Sequence, residues 1–180
     1  MGPEQQKVEI EIDLYNRIHN WKISLCNAEK ALDLCTYFNK ELFSKQENDR
    51  CVPHNIAQSG LSLSFDMPAI YYMRIFSSGY GVEGEMHSNK QVEIEAIRTE
   101  MISYVRTEMS WSEDDWNQFH DSMTNLRNSL IAHFDANAVK FDDDAKGYSY
   151  KNNLMKPNER KRLRKVISLM KEFISRFKEK

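Results

Sequence analysis

The chain has 180 residues, enough for one compact domain, and at 41% hydrophobic and 11% aromatic it can build a core. With 29% charged residues, only four Pro and six Gly, its composition is not that of a disordered chain. No apolar run reaches the length of a membrane span, so no membrane partner is expected.

Val8, Ile10, Ile12 and Leu14 alternate with charged residues. No partner strand lies nearby, so this short piece reads as part of the helix that follows. That helix is expected over roughly Asp13–Ser44. Leu14, Ile18, Trp21, Leu25, Ala28, Leu32, Cys35, Phe38 and Leu42 recur every three or four residues along it. Gln46 to Pro53 is polar and reads as a loop. Leu61, Leu63 and Phe65 alternate weakly. Asp66-Met67-Pro68 then has the pattern of a helix start, with an acid as cap and Pro in the first turn. Ala69, Tyr72, Met73 and Phe76 continue that second helix.

The glycines between Ser77 and Gly84 follow no strand and precede no Lys-Ser/Thr, so a plain loop is expected there. Ile94, Ile97, Met101, Tyr104, Val105 and Met109 mark a third helix from about Lys90 to Met109. Ser110-Trp111-Ser112 breaks it. Ser112-Glu113-Asp114-Asp115 has the composition of a helix N-terminus, with a capping hydroxyl and three acids that complement the dipole. Trp116, Phe119, Met123, Leu126 and Leu130 form the stripe of the fourth helix. Asp142-Asp143-Asp144 lacks the alternating ligands and distal Glu of a calcium loop and reads as a solvated turn. The last helix is expected from Pro157, with Leu163, Val166, Ile167, Met170, Phe173, Ile174 and Phe177 facing the core.

Helices joined by loops, with no convincing strands, predict an all-α single domain spanning 1–180. The expected architecture is an antiparallel bundle of about five helices. Cys26, Cys35 and Cys51 are odd in number and lack CxxC spacing, so they read as buried free thiols of a reducing compartment. The start, Met1-Gly2-Pro3-Glu4, lacks the basic-then-apolar pattern of a secretory leader, and the expected location is cytoplasmic. His87, His120 and His133 do not follow a zinc-ligand spacing, and no metal or cofactor is expected.

Charge is unevenly distributed. From Lys156 to Lys180 there are ten basic and three acidic residues, a net of +7, which leaves −9 for the rest of the chain. Arg160, Lys161, Arg162, Arg164 and Lys165 are therefore candidate phosphate-tracking residues for an anionic partner. Their equally simple reading is a solvated helix face or neutralisation within the fold.

Arg127-Asn128-Ser129-Leu130-Ile131-Ala132-His133 is the one segment suited to chemistry. It combines a permanent cation, a side-chain amide and a group titrating near neutrality. Arg can hold a non-bridging phosphate oxygen, and His can move protons near pH 7. Six residues apart on a helix, Arg127 and His133 are roughly 120° apart in azimuth and about 9 Å apart along the axis. Spacing by itself favours a structural Arg and His. The phrase Leu126 to Asp135, LRNSLIAHFD, resembles the signature of the HEPN superfamily (higher eukaryotes and prokaryotes nucleotide-binding domains). That signature is an Arg, a polar residue, and a His after four to six intervening residues. It also resembles the LRNxxxAHxD phrase of bacterial HEPN-like proteins akin to abortive-infection systems.

The resemblance implies a helical bundle that forms a homodimer, with two Arg…His motifs meeting at or near the interface. It further implies a metal-independent endoribonuclease of a defence or toxin type, with an RNA substrate and an antitoxin or other protein partner. Carried over, Arg127 holds the scissile phosphate, His133 transfers protons and Asn128 orients one of them. The alternative within the same family is a non-catalytic dimerisation or interaction module. In the branch modified by a nucleotidyltransferase, a Tyr follows two positions after the His. Asp135 stands there in this chain, which departs from that pattern.

Overall fold

The computed structural model describes residues 8–46, 49, 51–76, 88–131, 139–142, 147–150 and 157–179. Within those ranges it describes no side chains at 58–66, 88–91, 129–131, 139–142, 147–150, 157 and 179. In chain order the elements are β1 (Val8–Ile10), α1 (Ile12–Phe43), α2 (His54–Met73), α3 (Ser88–Met109), α4 (Glu113–Ile131), β2 (Val139–Asp142), β3 (Gly147–Tyr150), α5 (Pro157–Ile174) and β4 (Phe177–Glu179). Helix dominates, as the apolar periodicity predicts.

The stripe of α1 is buried as expected. Leu25 and Ala28 are fully enclosed, and Leu14, Ile18, Trp21 and Leu32 join the same core. Ala69, Tyr72 and Met73 of α2, Met101 and Val105 of α3, Phe119 and Met123 of α4, and Leu163, Val166, Ile167 and Met170 of α5 belong to it as well. Each is removed from water on one helix face, which is the main favourable term for such an assembly. Three ion-pair or thiol contacts tie α5 to α1. Arg160 Nη1 donates to Cys35 Sγ at 3.0 Å, Arg164 Nη1 to Asp33 Oδ1 at 2.7 Å and Lys171 Nζ to Glu29 Oε2 at 2.5 Å. Ascending α5 thus runs alongside descending α1.

Four expectations are corrected. First, Val8–Ile10 is a strand and not part of α1. It pairs in parallel with β4, Val8 opposite Phe177 and Ile10 opposite Glu179. The Val8 amide donates to the Arg176 carbonyl at 2.7 Å, and Lys178 pairs with Glu9 at 2.8 Å. The alternation was a genuine strand signal; its partner lies at the other end of the chain. Phe177 accordingly belongs to β4, not to the last helix.

Second, α2 begins at His54, and Asp66-Met67-Pro68 lies inside it. Pro68 has no amide to donate to the Ser64 carbonyl, a local defect that usually breaks a helix. Ala57, Leu61, Phe65, Ala69 and Met73 recur every fourth residue through it. Ala57, Ala69, Tyr72 and Met73 are buried, and that packing carries the helix past the proline.

Third, strands do occur. Besides β1 and β4, the polar stretch before α5 holds an antiparallel hairpin, with Val139 opposite Tyr150 and Asp142 opposite Gly147. Asp143 and Asp144 lie outside the described residues, as does the glycine-bearing segment 77–84. Fourth, the three thiols differ: Cys35 is buried, Cys26 intermediate and Cys51 exposed. Cys51 is held where α1 ends. Its amide donates to Glu41 Oε2 at 2.8 Å, and Lys45 Nζ lies 2.6 Å from Glu41 Oε1 and 3.2 Å from Cys51 Sγ. The bond to Lys45 holds the buried Glu41 carboxyl below its usual range, and the same bond raises Lys45.

The corner between α3 and α4 follows the sequence closely. Ser110 takes φ 53°, the left-handed region. Its amide donates to the Thr107 carbonyl at 3.1 Å, and the Trp111 amide donates to the Arg106 carbonyl at 2.8 Å. This is a Schellman C-cap with serine where glycine is usual. Ser112 then caps α4 reciprocally. Asp115 N–H donates to Ser112 Oγ at 3.1 Å, while the Ser112 amide and hydroxyl donate to Asp115 Oδ2 at 2.9 and 2.7 Å.

Candidate functional site

α4 carries the candidate site. Its apolar stripe, Trp116, Phe119, Met123 and Leu126, is buried and fixes the helix's rotation. Arg127 follows at the stripe's edge, half-buried, with Asn128 exposed beside it. Arg127 Nε and Nη2 both donate to Asn128 Oδ1, at 3.1 and 2.9 Å. One amide oxygen therefore holds one edge of the guanidinium and sets the plane of the fork. A restrained guanidinium loses less freedom when it grips an oxyanion. His133, the third residue of the sequence motif, lies outside the described residues, as does Asp135.

A different histidine shares the Arg127 face. His120 precedes Arg127 by seven residues, so the two lie about 20° apart in azimuth and about 10.5 Å apart along the axis. Its ring stacks on Trp116 at 6.0 Å and 19°, and meets the Phe76 ring edge-on at 4.6 Å. Its Nδ1 lies 3.4 Å from the hydroxyl of the fully buried Tyr72. Burial pushes the imidazole below its ordinary 6.5; Asp121 opposes that shift and Arg127 adds to it. His120 is therefore mostly neutral at pH 7, the form that accepts a proton. Burial also raises the Tyr72 phenol well above its usual range, so Tyr72 stays protonated and can act as the donor to Nδ1.

In the sequence His120 stands only among histidines that lack a zinc-ligand spacing. The seven-residue spacing to Arg127 on a helix whose stripe was already assigned was the usable signal. The aromatic setting was not readable, because Tyr72 and Phe76 come from α2, more than forty residues earlier.

The basic residues of α5 do not form one surface. Arg160 and Arg164 turn toward α1 and engage Cys35 and Asp33. Lys161 and Lys165 are exposed. Arg162 is exposed and faces the N-terminal half of α4, where it helps hold the Asp115 carboxyl below its usual range behind the larger effect of the Ser112 hydrogen bonds. Part of the +7 of the chain's end is thus neutralised within the fold. Among the described residues no group of three or more His, Cys, Asp or Glu side chains is placed to hold a metal ion. No helix among them is long and apolar enough to cross a membrane.

No protein-family model, curated protein or solved structure matches this chain.

Proposed function

We propose that the chain is a HEPN-like protein whose antiparallel helical bundle pairs as a homodimer and cleaves RNA without a metal, acting through Arg127. The observation that carries this reading is the Arg127–Asn128 couple at the edge of the α4 stripe. It supplies a cation of fixed orientation, placed to grip a phosphate and to stabilise charge that develops on it. Asn128 is the orienting group, and His133 transfers protons. A second copy answers the azimuth problem, since two motifs can line one cleft even when Arg127 and His133 of one chain diverge. Lys161 and Lys165 can follow the RNA backbone beside that cleft. An antitoxin or other protein partner fits a toxin- or phage-defence role in the cytoplasm.

A second reading, a non-catalytic HEPN-like interaction module, draws on a separate observation. Arg160 and Arg164, two of the five candidate RNA-binding residues, are engaged by α1.

Incubating purified protein with mixed RNAs in the presence of a chelator separates the two. Under the ribonuclease reading the wild type cuts, and Arg127→Ala and His133→Ala do not. If all three leave the RNA equally intact, the interaction module stands.

A further inference from the structure

His120 and Arg127 belong to a longer polar row on α4. Thr124 lies between them, four residues after one and three before the other. On a helix these three side chains leave within about 60° of one another and span about 10.5 Å along the axis. The row borders α2. His120 Nδ1 meets the Tyr72 hydroxyl at 3.4 Å, and Thr124 Oγ1 lies 3.7 Å from Met73 Sδ. All three residues are half-buried, so each keeps part of its surface in water. The neighbouring apolar stripe, Trp116, Phe119, Met123 and Leu126, is buried and holds the row at a fixed rotation.

Each member of the row is a hydrogen-bond donor. The Tyr72 phenol stays protonated and donates to Nδ1, which leaves the proton of the neutral imidazole on Nε2. The Thr124 hydroxyl has only a thioether sulfur as partner, a weak acceptor that a phosphate oxygen readily replaces. Arg127 turns Nε and Nη2 toward Asn128, and its Nη1–Nη2 edge is the one left for an anion. Burial is the main cause that keeps His120 below its ordinary value, and the Arg127 charge is near enough to add to it. Donors set in a line, one charged and two neutral, suit a chain of phosphodiesters better than a compact anion gathered at one point. Phe76, half-buried and edge-on to His120 at 4.6 Å, gives the same end of the row an aromatic surface for a base. Only an unpaired strand can bring an unstacked base there.

We propose that the row His120, Thr124 and Arg127 is the strand-binding edge of the Arg127 site. Arg127 holds one phosphate of a single-stranded RNA, and His120, through Nε2–H, holds a neighbouring one, with Thr124 between them. This rests on the phosphate-gripping role proposed for Arg127, and adds to it the course of the strand and a second binding residue.

The test follows the imidazole resonances of the full chain, which has five His, and the Asn128 side-chain amide. The probes are inorganic phosphate and an RNA trinucleotide with 2′-O-methyl groups, which has no 2′-hydroxyl to attack and is bound uncut. The trinucleotide should shift the His120 line and raise its titration midpoint, because a phosphate beside the ring favours imidazolium. The charged groups that act on this ring are Asp121 and Arg127 of α4, and from α2 it meets the neutral Tyr72 phenol. His120→Phe keeps an aromatic ring against Trp116 and Phe76 and removes both nitrogens. It should weaken trinucleotide binding roughly tenfold and leave phosphate binding at Asn128 unchanged. Thr124→Val, close in size, should weaken the trinucleotide about threefold. Arg127→Ala should abolish binding of both probes. The inference is overturned, with the Arg127 reading intact, if Arg127→Ala abolishes trinucleotide binding while His120→Phe and Thr124→Val bind as wild type does. If wild type binds neither probe, the inference falls together with the reading beneath it. Trinucleotide binding that depends on His120, without cleavage of unmodified RNA, removes the ribonuclease reading and upholds the row.

Discussion

Replacing Ser110 with glycine should stabilise the protein, although no contact is gained. Ser110 is the one non-glycine residue at positive φ among the described residues, at 53°. A β-carbon there crowds the following carbonyl at a cost of roughly 1–2 kcal/mol, which glycine avoids. Glycine also enlarges the freedom of the unfolded chain, which takes back about 0.4–1 kcal/mol. The net expectation is a gain of about 0.5–1 kcal/mol. For a chain of this size that corresponds to a rise in Tm of roughly 1–4 °C. Both amide bonds of the corner, to Thr107 and Arg106, are made by backbone and survive the change. Thermal and urea midpoints by circular dichroism read the effect, with an unchanged urea slope showing that the denatured state is comparable. Ser110→Val is the matched contrast: a β-branched residue is strongly disfavoured at positive φ, so it should destabilise by more than about 1 kcal/mol. If glycine instead destabilises, as it does inside a helix, and valine is tolerated, the corner is not left-handed and the account of how Trp111 is placed fails.

Other consequences are open to simple measurement. His120 is held below 6.5 when folded, so the folded state binds fewer protons than the unfolded chain. Its contribution to stability is full above the unfolded value and is lost as pH falls through 6.5 toward the folded value. His120→Phe should flatten that part of the stability–pH curve, and an unchanged slope would show that the imidazole is not buried against Tyr72 and Phe76. Ile10→Ala should cost about 2 kcal/mol in urea unfolding, because Ile10 is buried where β1 meets the core, whereas Val8→Ala at the exposed position should cost well under 1 kcal/mol. Ser112→Ala should cost about 1 kcal/mol through the lost cap. The Asp115 pKa, lowered by its bonds to Ser112, should return upward in an NMR titration of that variant.

Much of the fold could be read locally. The stripes of α1, α3, α4 and α5 recur at helical spacing, and most of the residues that spacing names, such as Leu25, Met101, Met123 and Ile167, are buried. What escaped depends on partners distant in sequence or on competition between signals. Val8–Ile10 alternates as a strand should, but its partner, Phe177–Glu179, lies at the far end of the described residues. At Asp66-Met67-Pro68 a good local start signal competes with a four-residue periodicity that begins at Ala57, and burial decides in favour of the periodicity. In the site, Arg127 and Asn128 stood out because the phrase around them resembles a known signature. Their mutual hydrogen bonds follow from adjacency on one helix. His120 was overlooked because its character comes from Tyr72 and Phe76, aromatic residues of another helix, and not from its immediate neighbours.

In the proposed function, Arg127 grips a phosphate through a fork that Asn128 holds in place. The most direct test is kcat/KM for RNA cleavage in chelator by wild type, Arg127→Lys and Arg127→Ala. Lysine keeps the charge but loses the planar fork and its bond pattern to Asn128. Both variants are expected to fall by roughly a hundredfold or more. Lysine cleaving as fast as wild type, or all three cleaving at one rate, would contradict it.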